Sequence, residues 1–322
     1  MVMVSISIIS ASLYVLTLLG IPQVKCQIID VVLDMAPTAF DDQYIGCEET
    51  MVEKMCSTNL LVAEKNKDVF FKESWENAVS EWRRMVEEKK LPPLPKGFSD
   101  EHGIALLVYT SSGTYHAFNV AVRIGGRSPE YYMQEFHFKV LHFYLTTALR
   151  LLRESCGPLC QTVYRGEYDI HFHPPTSSDK KMRFGQFTST STSKEVAKKF
   201  GKDSFFTLMT CFGVCVEKYS SFSYEQEVLL PVNEVFTVSS FDEQTHSFVL
   251  NSTRKTCSRY NCTYLEGPSA KVGTTYKYCY SSEADLAKQG AKFGFHALCE
   301  ASWLRFPALR TQHSSSLTAQ PI

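Results

Sequence analysis

The stretch Glu225-Gln-Glu-Val-Leu-Leu-Pro231 places two carboxylates directly before an apolar run that is typical of a buried β-strand. Similar short runs, separated by turn residues, follow Cys160 along the chain. The pattern predicts strands at Thr162–Tyr164, Arg183–Thr188, Phe205–Val216, Glu227–Val232, Glu234–Ser239 and Ser247–Leu250. A capping box at Thr192-Ser-Lys-Glu195 predicts one short helix among them, from Val196 to Phe200.

The chain before Cys160 is predicted to be helical. One helix would bury a face of residues at helical spacing, namely Trp75, Val79, Trp82 and Val86, and would end at Leu91-Pro-Pro-Leu-Pro95 because proline lacks a backbone N–H. A second long helix should begin at Ser128-Pro129 and run to about Glu154, burying Phe138, Leu141, Leu145 and Ala148. Helices followed by strands indicate an α+β fold: a helical N-terminal half, then a mainly antiparallel β-sandwich core, disulfide-linked.

Composition and the two termini suggest how the chain is divided. With 322 residues, 44% apolar residues, 21% charged residues and a net charge of −1, the chain is an ordinary globular one and lacks the basic face that nucleic acid would need. Residues 1–24 carry no charge, so we expect a signal peptide over 1–26, with an uncleaved membrane anchor as the alternative. One folded domain should span 27–300. The tail over 301–322 is polar, which predicts disorder and argues against a glycolipid anchor.

Cysteine usage favours an extracellular protein. The chain has 11 cysteines, so removal of Cys26 with the signal peptide would leave an even number that could all pair. The absence of any Cys-x-x-Cys pair argues against a zinc cluster. Two sequons, at Asn251 and Asn261, predict N-glycosylation.

Three short stretches in the second half carry chemistry: Val163-Tyr-Arg-Gly166, Phe187-Thr-Ser-Thr-Ser191 and Glu225-Gln-Glu227. On an extended chain the two glutamates would point to the same face, where they repel unless a cation lies between them. Each stretch also has an ordinary structural interpretation: a solvated strand end for the glutamates, a surface salt bridge for Arg165 and a turn residue for Ser189. None of the three is specific by itself.

In this order, however, the three stretches resemble the arginine-specific ADP-ribosyltransferases. Three longer segments of the chain resemble the vertebrate ecto-ADP-ribosyltransferases in particular. They are Leu33-Asp-Met-Ala-Pro-Thr-Ala-Phe-Asp-Asp-Gln-Tyr-Ile-Gly-Cys47, Phe136-His-Phe-Lys-Val-Leu-His-Phe-Tyr-Leu-Thr-Thr-Ala148 and Arg183-Phe-Gly-Gln-Phe-Thr-Ser189. The resemblance spans about Leu33 to Cys262. It implies that residues 27–300 form a catalytic domain that transfers ADP-ribose from NAD, a cosubstrate, to protein arginine side chains, releasing nicotinamide without a metal.

The resemblance also implies roles for four residues. Glu227 would stabilise the oxocarbenium-like charge that develops on the ribose, as carboxylates do in glycoside hydrolysis. Glu225 would orient the acceptor guanidinium through paired hydrogen bonds. Arg165 would bind the NAD pyrophosphate, and Ser189 would hold Glu227 and the nicotinamide ribose.

Further positions follow from the same resemblance. NAD contacts are expected at Gly166, Gln186, Ser220 and Tyr109, the last of which could equally be a core tyrosine. Phe222 and Tyr224, just before Glu225, could contact the acceptor protein. The implied disulfides are Cys47–Cys262 and Cys160–Cys211. Cys156 and Cys215 lie four residues outside the second pair on either side, where a neighbouring bridge could form, but their pairing is left open, as is that of Cys56, Cys257, Cys279 and Cys299.

Two rival functions remain at this point. An NAD glycohydrolase would use the same Glu227 but let water replace arginine, whereas Glu225 favours transfer to arginine. A catalytically silent secreted protein would keep only the fold, against which the intact Arg165, Ser189 and Glu227 argue. The expected partners are NAD and arginine-bearing extracellular or cell-surface proteins, with no nucleic acid and no stable membrane anchor.

Overall fold

The computed structural model of the chain describes residues 28–111, 113–153, 159–270, 272 and 275–281. The expected signal peptide and polar tail lie outside these residues, as do Cys156 and Cys299. The helices are α1 (Glu48–Ser57), α2 (Leu60–Lys65), α3 (Val69–Glu87), α4 (Asp100–Thr110), α5 (Tyr115–Gly125), α6 (Pro129–Glu135), α7 (Lys139–Arg153), α8 (Lys194–Ala197) and α9 (Thr263–Glu266).

Helix α3 forms as predicted but buries a different stripe. The Asp68 carboxylate accepts the backbone N–H of Phe71 and caps the helix. Its buried residues are Phe71, Trp75, Ala78, Trp82 and Met85, whereas Val79 is half-buried and Val86 is exposed. The helix ends at Glu87, and Lys89 adopts a φ of 53°, so the prolines after Leu91 are not what ends it.

The single helix predicted from Ser128 to Glu154 is wrong, because the chain breaks between α6 and α7. Its start is as expected, since the Ser128 hydroxyl accepts the N–H of Tyr131 ahead of a proline in the first turn. The break is stabilised from outside by Glu64 of α2, whose carboxylate accepts the N–H groups of Lys139 at 2.8 Å and Val140 at 3.1 Å. A buried carboxylate thus takes the place of the missing helical turn.

The strands are β1 (Ile29–Val32), β2 (Gln161–Glu167), β3 (Ile170–His173), β4 (Lys181–Met182), β5 (Thr188–Ser191), β6 (Ser204–Thr210), β7 (Val214–Cys215), β8 (Glu227–Leu230), β9 (Glu234–Asp242), β10 (Ser247–Ser258) and β11 (Tyr278–Tyr280). The large sheet has the order β4-β9-β10-β6-β2-β5-β8-β7, with β11 paired to β10. Its only parallel pair among the described residues is β6–β10, and β1 pairs in parallel with β3 in a separate two-stranded sheet.

Two hydrophobic clusters hold these layers together. One packs the helices against β7, β8 and the residue before β5, through residues such as Leu229 and Phe187. The other lies inside the strongly curved sheet and joins Met182 of β4 to Leu230 of β8, although these strands are far apart in the sheet order. The halves of the sheet therefore face each other across a core, and the predicted α+β fold is confirmed.

Several local predictions differ from the structure. Arg183–Thr188 is mostly a loop between β4 and β5, because the buried Arg183 guanidinium bonds Asp41 at 2.7 Å and the carbonyl of Cys257 at 2.6 Å. The run Phe205–Val216 is two strands, β6 and β7, separated by a turn. The helix after β5 is capped by Ser193, whose hydroxyl accepts the Val196 N–H, and not by Thr192.

Three disulfides tie the described residues together. Cys47–Cys262 and Cys160–Cys211, the pairs that the resemblance implies, are both formed and close 215 and 51 residues of sequence. Cys257–Cys279 joins β10 to β11 and was not assigned from the sequence. A cross-link that closes a long loop removes conformational entropy from the unfolded chain. In this chain-entropy model, each of the two long bridges stabilises the fold by roughly 3–5 kcal/mol.

Candidate active site

The three chemistry-bearing stretches meet at one end of β2, β5 and β8. In the sheet, Ser191 of β5 lies opposite both Tyr164 of β2 and Glu227 of β8. Arg165 therefore lies next to Tyr164, the residue of β2 that pairs with β5, the strand that carries Ser189. The two pairings together bring Arg165 and Glu227, which are more than 60 positions apart along the chain, into one site.

Glu227 is the centre of this site. Its side chain is 5% exposed, and it accepts hydrogen bonds from the Ser189 side chain and from Ser220 Oγ, the latter at 3.4 Å to Oε2. Burial raises the pKa of Glu227 from 4.5 to about 7, and the charge of Glu225 adds to this, while the two serines and Arg165 act in the opposite direction. A buried carboxylate with a perturbed pKa beside hydroxyl donors is typical of a catalytic group.

Glu225 comes close to Glu227, but not as the extended-chain argument assumed. Residues Ser223–Glu225 form a 3-10 turn and Gln226 has a φ of 50°, so the two glutamates are not neighbours on one strand face. The turn is fixed by Ser191, whose hydroxyl donates to the Glu225 carbonyl at 2.7 Å. Partial burial raises the pKa of the Glu225 carboxyl.

Arg165 is oriented by a residue that sequence reasoning missed. Its Nε donates to Glu167 Oε1 at 2.7 Å, its Nη2 lies 2.5 Å from the same oxygen, and its Nη1 donates to the Ser189 carbonyl at 2.6 Å. Glu167 lies two residues further along β2, a spacing that places both side chains on one face of the strand. That spacing is the sequence signal that could have identified it.

Gln186 and Arg123 extend the polar surface next to Arg165. Arg123, near the end of α5, donates from Nη1 to Gln186 Oε1, and its charge interacts with those of Arg165 and Glu167. Two guanidinium groups close together form a surface suited to a diphosphate. Sequence reasoning singled out Gln186 but missed Arg123, since a lone arginine near a helix end gives no signal.

Tyr109 and Gly166 have structural reasons for their identity. Tyr109 is 3% exposed, and its hydroxyl donates to the Phe187 carbonyl at 3.0 Å while bonding the Ser189 side chain. Tyr109 thus supports β5 from the buried side, and this favours its role as a core tyrosine over a contact with NAD. A β-carbon at Gly166 would overlap the backbone carbonyl of Gly201, so only glycine fits.

The described part of the chain contains neither a cluster of metal-ligating side chains nor a membrane-spanning helix. No group of three or more histidine, cysteine, aspartate or glutamate side chains there could hold a metal ion. Among the same residues, no helix is both long and apolar enough to cross a membrane.

Comparison with known proteins decides the family. Residues 33–258 match the model of the family described as NAD:arginine ADP-ribosyltransferase. The chain belongs to this family. Ecto-ADP-ribosyltransferase 5 of Rattus norvegicus is 42% identical over 259 residues, covering 78% of this chain and 80% of the relative. The GPI-linked NAD(P)(+)--arginine ADP-ribosyltransferase 1 of Oryctolagus cuniculus is 41% identical over 251 residues, covering 74% and 76%.

A solved mono-ADP-ribosyltransferase has the same fold. The crystal structure of a mutant of the eukaryotic mono-ADP-ribosyltransferase ART2.2, in complex with NAD, superposes with a TM-score of 0.64 at 39% identity. It covers 73% of this chain and 99% of its own. The family assignment thus agrees with both the order of the sequence motifs and the three-dimensional site.

Proposed function

We propose that this protein is a secreted NAD⁺–protein-arginine ADP-ribosyltransferase, acting on extracellular or cell-surface proteins. The observation that carries the proposal is the buried Glu227, held by Ser189 and Ser220 next to Glu225 and within the field of Arg165. Membership of the family and a relative whose solved structure contains NAD support it further.

The reaction breaks the bond between the ribose anomeric carbon and the nicotinamide nitrogen. The bonding electron pair leaves with nicotinamide, and positive charge develops on the ribose, where the Glu227 carboxylate stabilises it. Ser189 and Ser220 hold that carboxylate in one orientation. Arg165, preset by Glu167, would bind the pyrophosphate by charge-assisted hydrogen bonds.

Glu225 has a separate task in this proposal. A guanidinium is a charged and poor nucleophile, so it must be held with one nitrogen facing the anomeric carbon. The carboxylate of Glu225, less buried than that of Glu227, would accept hydrogen bonds from the incoming guanidinium. Water needs no such contact, and this separates arginine transfer from NAD hydrolysis.

Labelled NAD⁺ and agmatine, a small guanidinium compound, test the proposal in one assay. The parent protein should form ADP-ribosyl-agmatine. In Glu225→Gln, transfer should fall by roughly 10²-fold while NAD⁺ hydrolysis survives, because Glu227 still faces the ribose. The exposed Glu243→Gln, in the turn between β9 and β10, is a charge-matched control that should keep both activities.

The outcomes of this assay separate the three candidate functions. Hydrolysis without transfer in the parent protein would support the glycohydrolase instead. Loss of neither activity in Glu225→Gln would show that no guanidinium is held there. Inactivity of the parent protein in both reactions would support the silent protein.

Secretion is part of the same proposal. Disulfides form and persist in oxidising compartments, and the described residues contain three of them. We expect the protein in the culture medium, with no further release from cells by a phospholipase that cuts glycolipid anchors. Retention on washed cells as an integral species would support the N-terminal anchor.

A further inference from the structure

The strands β9, β10, β6 and β2 lie side by side in the large sheet, and one of their faces carries no charge. The residues that alternate to the other face, such as Leu208 and Leu250, are buried in the second hydrophobic cluster. We call the outer side the neutral face. It consists of nine residues, namely Thr162, Tyr164, Thr207, Met209, Thr237, Ser239, Ser240, Val249 and Asn251.

The neutral face has an unusual composition for a surface that only water covers. About a quarter of the residues of a soluble protein are charged, whereas none of these nine is. Hydroxyl and amide groups surround two apolar residues, Met209 and Val249, which are each 40% exposed. Hydroxyl groups beside apolar side chains match a neutral sugar, which forms hydrogen bonds through its hydroxyl groups and packs through the C–H groups of its ring.

One end of the neutral face is covered by the chain itself. The ammonium of Lys194, in α8, lies 6.0 Å from the ring centroid of Tyr164 and 5.8 Å from that of Phe205. Met209 and Val249 lie towards Asn251 instead. In the register of β10 and β6, Asn251 is the partner of Met209, and Val249 precedes it by two positions on the same face.

Asn251 is also the first residue of the sequon Asn251-Ser252-Thr253. When a glycan is attached, Nδ2 of the asparagine forms a bond to the anomeric carbon of N-acetylglucosamine and loses one proton. A lipid diphosphate, the leaving group of the oligosaccharide donor, departs with the bonding electron pair. Nδ2 of Asn251 donates to Ser239 Oγ at 2.7 Å, and the one N–H that remains after attachment is enough to keep this bond.

We propose that the glycan on Asn251 packs back onto the neutral face and covers Met209 and Val249 with its first sugar units. Neighbouring strands are about 4.8 Å apart and alternate residues about 6.7 Å apart, so both side chains lie close to the point of attachment. The inference goes beyond the proposed catalysis but rests on the proposed secretion, because such a glycan is attached to exported proteins. The glycan thus supplies the solubilising cover that charged side chains give elsewhere.

Oxidation of Met209 by hydrogen peroxide tests whether the face is covered. The full protein, secreted by a glycosylating cell, is oxidised while folded, and peptide mapping then measures the sulfoxide at Met209. Thr253→Ala, which destroys the sequon but keeps Asn251, should oxidise at Met209 roughly fourfold faster than the parent. This is the ratio between a side chain that is 40% exposed and one that is about a tenth exposed. The half-buried Met133 of α6 is the internal reference and should oxidise equally in both.

The matched control is Thr253→Ser, which keeps the sequon and the hydroxyl that donates to the Val235 carbonyl, and should behave as the parent. Asn251→Gln removes the attachment site from the other end of the sequon and should show the same rise as Thr253→Ala. If neither variant is secreted in folded form, enzymatic removal of the glycan from the folded parent gives the same comparison.

Equal oxidation of Met209 in the parent and in the glycan-free forms would overturn the inference, as would a parent that carries no glycan at Asn251. Protection that persists without the glycan and increases with protein concentration would assign the face to a second copy of the chain and would also overturn it.

The proposed catalysis is judged separately. Asn251→Gln should transfer ADP-ribose to agmatine within about twofold of the parent, because a surface substitution outside the active site has a small effect. A parent that transfers nothing to agmatine would refute the proposed catalysis and leave the result at Met209 unchanged.

Discussion

Replacing Glu227 by glutamine should stabilise the fold at alkaline pH while abolishing activity. The carboxyl is 5% exposed, and burial raises its pKa from 4.5 to about 7. A folded-state pKa above the unfolded value means that the folded state holds the proton more tightly. The stabilisation of the fold that the bound proton provides is fully present below pH 4.5 and is lost as the pH rises through about 7.

The size of the effect follows from the shift. One pKa unit corresponds to 1.36 kcal/mol, so ionisation of Glu227 costs the folded state up to about 3 kcal/mol by pH 8. Glutamine keeps the size of the side chain and never ionises. The free energy of unfolding of Glu227→Gln, minus that of the parent, should therefore increase by about 3 kcal/mol between pH 4 and pH 8.

Urea unfolding at several pH values, with the disulfides intact, measures this difference. The exposed Glu243→Gln corrects for the loss of one negative charge. In the same pH range, kcat/KM of the parent should rise as the pH passes through about 7, since the ionised Glu227 is the active form. A difference in unfolding free energy that stays constant from pH 4 to pH 8 would refute the burial argument.

Three further predictions concern other parts of the chain. Arg165→Lys should raise KM for NAD⁺ by roughly tenfold, because the lysine ammonium cannot bond Glu167 and a phosphate at once as the planar guanidinium does. An unchanged KM would show that the role of Arg165 is structural. Glu64→Ala should lower the free energy of unfolding by roughly 3 kcal/mol, since Lys139 loses both its cap and its counter-charge; denaturant unfolding measures this, and a loss near zero would contradict it. Peptide mapping of the protein made in a glycosylating cell should find a glycan at Asn251, whose side-chain amide donates to Ser239 Oγ at the surface. Asn261, where the sequon also predicts a glycan, should instead stay bare, because its side-chain amide bonds both backbone groups of Ile45; a glycan there would show that attachment precedes this contact.

Local patterns in the sequence were sufficient for the fold class and the family, and they singled out residues that lie together in the candidate site. Helical periodicity around Trp75 and Trp82 and the capping signal at Ser128 correspond to real helices, since both depend on residues within a few turns of each other. The order of Arg165, Ser189 and Glu227 indicated the family. Residue type and spacing carry this information before any folding occurs.

Tertiary contacts decided what local patterns could not. The break between α6 and α7 depends on Glu64, about 75 residues away, and the loop at Arg183 depends on Asp41, 142 residues away. The 3-10 turn before Glu227 overrides the extended geometry that Glu-x-Glu suggests, because Ser191 of the neighbouring strand holds it. The raised pKa of Glu227 and the contact of Arg165 with the Ser189 carbonyl arise from burial and from packing between separate strands, which no short window of sequence contains.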